Sequence, residues 1–178
     1  MSRIAAVVLA AGASTRFGTP KQRVLLPDVL ARLEPTPVDE IVVVEGAHEL
    51  CGDSPQGRTR VVRCAEWERG PGASLRCGLA ALGADVDAAV VVLADGPRLA
   101  PAAVARVIES WRGEGGDVVA ASYGGVRGHP LLLARSRWDA VPDDGLRVIG
   151  PRLVPCDDLG SPGDIDTPED LAALEGDG

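Results

Sequence analysis

Three apolar runs constrain this chain more than any other feature: Ile4 to Ala10 (IAAVVLA), Ile41 to Glu45 (IVVVE) and Ala88 to Ala94 (AAVVVLA). Each is rich in valine or isoleucine and lacks the polar alternation of a strand with one wet face. Such runs are strands buried on both sides, as in a parallel sheet covered by helices. Helix-like segments lie between them, and this alternation predicts a three-layer α/β/α sandwich. At 178 residues the chain is expected to form one domain, residues 1–178, with a sizeable core.

The first run leads straight into a small-residue turn, Ala11-Gly12-Ala13-Ser14, then Thr15, Arg16, Phe17, Gly18 and, three residues on, Lys21. Small residues after a strand let backbone N–H groups approach a phosphate, and Arg16 and Lys21 add positive charge. An ordinary strand-to-helix turn with two solvated cations is the competing reading. No Gly-Lys-Ser/Thr follows, so this is not a Walker A loop, and no GxGxxG fingerprint is present. Lys21 is the only lysine among 18 basic residues in a chain that otherwise uses arginine.

The net charge of −8 and pI near 4.7 argue against a broad basic face for nucleic acid. They leave room for a small anion held by locally gathered charge. No apolar run approaches the roughly 20 residues needed to span a bilayer. The N-terminus carries no basic region with a cleavage site, so a cytoplasmic, membrane-free protein is expected. Cys51, Cys64, Cys77 and Cys156 have no CxxC spacing. They read as buried thiols, not as a zinc site.

Between the strands, Arg23 to Leu33 predicts a short helix, or two half-helices broken near Pro27. Arg60 to Arg63 reads as an edge strand. Gly70-Pro71-Gly72 is a turn, and Ser74 caps or begins a helix carrying Leu75, Leu79 and Leu82. Asp95 follows the most apolar strand, where an α/β sheet places catalytic or metal-binding acids; a helix cap explains it equally. Pro101 to Trp111 is an amphipathic helix. Asp117 to Ser122 is a strand, Gly124 to Pro130 a glycine-rich loop, and Leu131 to Leu133 resumes a strand. Arg152 to Cys156 is the last strand. Near the end, Thr167 is a helix N-cap with Pro168 at the first helical position. That local chemistry leaves Asp164 and Asp166 unexplained.

LAAGASTRFGTPKQ resembles the signature loop of the MobA-like nucleotidyltransferases, roughly LAAG-x-S-x-R-x-G-x-x-K. The likeness continues through Trp67, Gly70, Ser74 and Gly78, through Leu93-x-Asp95-x-Pro97, and through the closing DIDTPEDL from Asp164. It implies a Rossmann-like, mostly parallel sheet of the nucleotide-diphospho-sugar transferase type. Arg16 and Lys21 would be catalytic. Leu9, Ala10, Ala11, Gly12, Gly72, Ser74 and Asp95 would contact the nucleotide, and Asp95 and Asp166 would bind Mg²⁺.

LAAG and the GxRGHPxLL stretch around His129 resemble the cytidylyltransferase branch, whose substrates would be CTP and molybdopterin. His129 would then touch the acceptor; a structural histidine before Pro130 is the alternative. Three departures from the pattern stand out: a segment after Gln22 shorter by roughly a turn or two of helix, Cys64 in place of asparagine, and Gly96 in place of glutamine. The expected partners are a nucleoside triphosphate and a small phosphorylated acceptor. The protein is expected to be a monomer, with a molybdoenzyme as the candidate protein partner. Two other functions fit the same residues. One is transfer to a sugar phosphate or methylerythritol phosphate, or from GTP. The other is a non-catalytic nucleotide-binding accessory protein.

Overall fold

The computed structural model describes residues 1–13, 21–51, 57–163, 169–170 and 172–173. Seven strands form one sheet: β1 (Ile4–Ala10), β2 (Glu40–Glu45), β3 (Thr59–Arg63), β4 (Ala88–Leu93), β5 (Val118–Tyr123), β6 (Val126–Ala134) and β7 (Arg152–Pro155). Their order is β3-β2-β1-β4-β6-β5-β7. All neighbours are parallel except that β6 runs against both β4 and β5. The three sequence-predicted apolar runs therefore lie side by side, and the valine-rich β4 is the middle strand.

Alternation along the strands divides the core. Ile4, Ala6, Val8 and Ala10 face helices α1 (Lys21–Leu33) and α3 (Pro101–Glu114), which contribute Leu26, Val29, Val104, Val107 and Ile108. Ala5 and Val7 face α2 (Pro71–Ala80) through Leu75 and Leu79. Two apolar faces on one sheet require helices on both sides, which is the three-layer arrangement.

Of the two readings of the segment after Lys21, the single short helix holds: Pro27 does not break α1 but sits on its exposed face, where water can satisfy the carbonyl freed by its missing N–H. Three local expectations are corrected. Ser74 does not begin α2. The helix starts at Pro71, whose fixed φ suits a first helical position, and Ser74 is buried in its first turn. The glycine-rich loop of residues 124–130 is mostly strand. Gly124 and Gly125, with φ of 59° and 76°, make a two-residue hairpin turn of the kind that needs positive φ, and β6 begins at Val126. Finally, Cys64 and Cys77 are joined in a disulfide, while Cys51 and Cys156 are free thiols.

The hairpin leaves a gap in the sheet. The β4–β6 ladder ends at Val91↔Leu131, and the β5–β6 ladder shifts register between Ala120↔Leu131 and Ser122↔Arg127. Residues 128–130 therefore pair with neither neighbour. Beyond the last β4–β6 pair a cavity opens between the two strands.

A second close approach involves Gly72. Its N–H donates to the Asp143 carbonyl at 2.8 Å, and a Cβ there would lie 1.7 Å from the Pro142 oxygen. Gly72→Ala must displace the loop at 142–143, and overpacking of this kind costs about 2 kcal/mol. A lowered urea midpoint with unchanged m-value is expected; an unchanged midpoint would mean that the loop yields freely.

Candidate active site at the β1/β4 crevice

Strands β2 and β3 extend the sheet from one side of β1, whereas β4 joins on the other. The crevice above β1 and β4 is thus the switch point where open α/β sheets bind ligands. The sequence-predicted groups converge there. Ala11 and Gly12 leave the end of β1, and Asp95 follows β4. The Nζ of Lys21, first residue of α1, lies 2.9 Å from Asp95 Oδ2. The side chains are 11% and 26% exposed, so this pair faces a cleft and not open solvent. The chain's one lysine thus meets the aspartate of its central strand across 74 residues of sequence.

A cavity of about 330 Å³ adjoins the pair, lined by Leu9, Ala11, Gly12, Gln22, Trp67, Gly70, Pro71, Ser74, Leu93 and Asp95. Its floor is the end of β1 and its far wall is the start of α2. Two interactions hold the near rim: Gln22 Nε2 donates to the Gly12 carbonyl at 3.3 Å, and His48 Nε2 lies 3.0 Å from the Ala13 carbonyl. Behind that rim, the buried Glu45 carboxylate accepts from the Leu50 and Cys51 amides at 2.8 and 2.7 Å and fixes the turn after β2. The disulfide ties the loop carrying Trp67 and Gly70 to the helix carrying Ser74.

Of the sequence-predicted nucleotide contacts, Leu9, Ala11, Gly12, Ser74 and Asp95 line this cavity. Ala10 is buried beneath it. Gly72 does not reach it, because its backbone turns toward Pro142 and Asp143. Gln22, Trp67, Gly70 and Pro71 complete the lining. Gln22 carried a signal in its place beside Lys21, and Trp67 and Gly70 in the spacing ahead of Ser74. Arg16, Asp164, Asp166 and Thr167 lie outside the described residues.

A second cavity, of about 430 Å³, is the space opened between β4 and β6. Its lining includes Leu93, Tyr123, Arg127, His129, Arg147 and Ser161. Leu93 lines both cavities, with Asp95 in the wall of the first and Gly96 in the wall of the second. His129 sits in this second space, apart from the first. The Tyr123 hydroxyl donates to the His129 carbonyl at 2.9 Å, and burial pushes the phenol up to about 12.

Burial, aided by the nearby Arg127 cation, lowers His129 to about 4 against the opposing pull of Asp95, so the ring is neutral at pH 7. The unfolded chain takes up this proton near pH 6.5 and the native fold does not until about pH 4. Stability should fall as pH drops through that window and level off below it. Thermal unfolding at pH 7 and 4.5 tests this; His129→Gln should flatten the difference, and an equal drop in the variant would assign it elsewhere.

Asp95 offers a hard oxygen donor in the wall of the first cavity, the chemistry a divalent cation such as Mg²⁺ takes. Among the described residues no group of three or more His, Cys, Asp or Glu side chains gathers at one point. Mg²⁺ uses few carboxylates when phosphates and waters complete its shell, so a single aspartate here fits that ion.

A cleft at the switch point of a mostly parallel sheet, with a lysine–aspartate pair beside a cavity, defines an open α/β protein built to bind a ligand there. A model of the MobA-like NTP transferase domain matches residues 6–147, and the chain belongs to that family. It is 37% identical over 134 residues to the bifunctional protein GlmU of Mycolicibacterium gilvum (strain PYR-GCK), covering 66% of this chain but only 27% of that relative's length.

Among solved structures, the Mycobacterium tuberculosis Rv0371c homologue from Mycobacterium sp. strain JC1 superposes with a TM-score of 0.81. It shares 28% identity, with 98% of this chain and 96% of that one covered. Rv0371c from M. tuberculosis H37Rv, in a complex with manganese, matches at TM-score 0.68 and 25% identity over 97% of this chain and 98% of its own. A related fold thus binds a divalent metal. Among the described residues no helix is long and apolar enough to cross a membrane.

Proposed function

We propose that this protein is a nucleotidyltransferase that moves CMP from CTP onto a phosphorylated acceptor such as molybdopterin, releasing pyrophosphate in the cytoplasm. The observation that carries this reading is the Lys21–Asp95 pair, whose aspartate lines one cavity two residues after Leu93, which lines both. One cavity suits a nucleotide: backbone and small residues on its floor, the Trp67 side of its wall, and the buried Ser74. The other suits an acceptor. The motif from Leu9 to Gly12 and the stretch around His129 favour CTP over GTP.

In the proposed reaction, an acceptor phosphate oxygen attacks the α-phosphorus in line, and the bond to the β-phosphate oxygen breaks as pyrophosphate leaves. The protein's task is to align two anions and to offset developing charge. Lys21 stabilises the α-phosphate and the leaving group, with Arg16 assigned the same role from its place in the loop. Gln22 holds the Gly12 carbonyl, so that the turn after β1 keeps its form beside the phosphates. Asp95, with Asp166 from the closing motif, would hold Mg²⁺, which when bound neutralises phosphate charge. No covalent nucleophile is required, and the free thiols of Cys51 and Cys156 take no part.

The test is pyrophosphate release from CTP, GTP and ATP with Mg²⁺, using molybdopterin and a panel of sugar phosphates as acceptors. Acceptor-dependent release from CTP is expected. Release from GTP alone would keep the chemistry and change the branch. Nucleotide binding without release under any condition would favour an accessory protein.

A further inference from the structure

Arg127 and Arg147 reach the second cavity from two separate elements. Arg127 stands in β6, near the hairpin turn; Arg147 belongs to the short 3-10 segment Gly145–Val148. Eight arginines among the described residues form ion pairs with carboxylates, and these two do not. Arg60, Arg76 and Arg106 each meet a carboxylate. Among the described residues none lies within ion-pair distance of Arg127 or Arg147. Arg127 Nη1 donates to the Ile149 carbonyl at 2.8 Å, an acceptor that carries no charge.

A guanidinium has five N–H donors, so this single bond orients the Arg127 fork and leaves its other donors for a ligand. Burial lowers Arg127 from its ordinary value, the mark of a cation drawn out of water without an anion to offset it. His129 beside it is neutral and adds no charge of its own. In a chain of net charge −8, two arginines converging without carboxylate partners on a cavity amount to a local anion trap.

We infer that Arg127 and Arg147 form a two-armed clamp for a phosphomonoester dianion, the phosphate of the acceptor, in the cavity between β4 and β6. Planar guanidinium forks match phosphate oxygens in a way that a lysine does not. The clamp rests on the nucleotidyltransferase reading only for its role: it holds the attacking phosphate next to the cavity that would hold the nucleotide. The anion site itself stands on the two arginines. Arg127, fixed by Ile149, orients the phosphate; Arg147, exposed at the rim, admits it.

The experiment uses phenyl phosphate as the probe and the ring signal of His129 as the local reporter, at constant pH 7.5. The chain has two histidines, so a His129→Gln spectrum assigns the signal. In the intact protein, phenyl phosphate should shift the His129 signal saturably. Arg127→Gln should raise the half-saturation by roughly tenfold or more, the loss expected for a charge-assisted pair. Arg147→Gln, on an exposed side chain whose replacement leaves the fold intact, should raise it by about three- to tenfold. Arg127→Lys should restore only part, because the fork is lost.

The shift should persist with CTP at saturation. Its loss under CTP would mean that the cavity holds the nucleotide's own phosphates, which overturns the clamp. So would unchanged half-saturation in both variants with folded spectra. Failure of CTP to bind at all would overturn the proposed reaction while the phenyl phosphate response still reads the clamp, so the two are separable.

Discussion

Lys21→Ala should lower kcat for nucleotidyl transfer by about 10²- to 10³-fold, the usual cost of removing one preorganised donor at developing charge. The ammonium is held 2.9 Å from Asp95 in a cleft of low exposure, so its charge is already in place before substrate arrives. The substitution also strips Asp95 of its partner, and KM for Mg·CTP should move by much less than kcat. Steady-state kinetics separate these effects. Turnover within a few-fold of the parent would remove Lys21 from the chemistry. Lys21→Arg should recover little, since a wide fork does not fit where a compact ammonium meets one carboxylate oxygen.

The second large effect concerns the disulfide. Cys64 and Cys77 are separated by 13 residues, and closing a loop of that size in the unfolded chain is worth about 3 kcal/mol in the loop-entropy treatment. Cys77→Ser should therefore lower the unfolding free energy by about that amount, and reduction of the parent with dithiothreitol should reproduce it. At this chain length the change corresponds to a fall in Tm of roughly 6–12 °C. Because the bridge joins two walls of the 330 Å³ cavity, CTP affinity should fall with it. A parent protein with the same Tm with and without reductant would show that the bridge contributes nothing. Disulfides are rare where thiols are kept reduced, so thiol counting in acid-quenched cells will show which form the cell maintains.

The fold was largely legible because burial on both faces leaves an unmistakable mark. Ile4 to Ala10 contains only apolar residues, and its predicted bounds match those of β1. The first half of β6 was not legible. Its Arg-Gly-His-Pro stretch contains two residues that strands avoid, and the reason they are tolerated is tertiary: residues 128–130 fall where neither ladder records a pair. Pro27 left two readings open for a similar reason, since only the finished helix shows that its turn faces water.

At the site, Lys21 and Asp95 were readable singly, from a lone lysine and a carboxylate after the central strand. Their contact was not, because it depends on the register of β1 with β4. Arg127 was singled out only as part of the GxRGHPxLL stretch, and its meeting with Arg147 at one cavity carried no signal, because the two stand 20 residues apart on separate elements. Cys64 and Cys77 were likewise silent, because a 13-residue separation favours no partner until α2 is packed against the loop after β3.

The reversed direction of β6 has a consequence for how such a protein can diversify. Parallel strands present their last residues to the cleft, and those residues belong to the sheet's centre. An antiparallel neighbour presents its first residues instead, fed by the two-glycine turn at the surface. On the proposed reading, part of the recognition of the second substrate would be written beside a hairpin, on Arg127, and the nucleotide machinery on the interior strands. A tip can be lengthened, shortened or transplanted without altering one rung of the β1–β4 ladder. If that cavity takes the acceptor, related chains could change acceptors by altering the hairpin while keeping the interior strands.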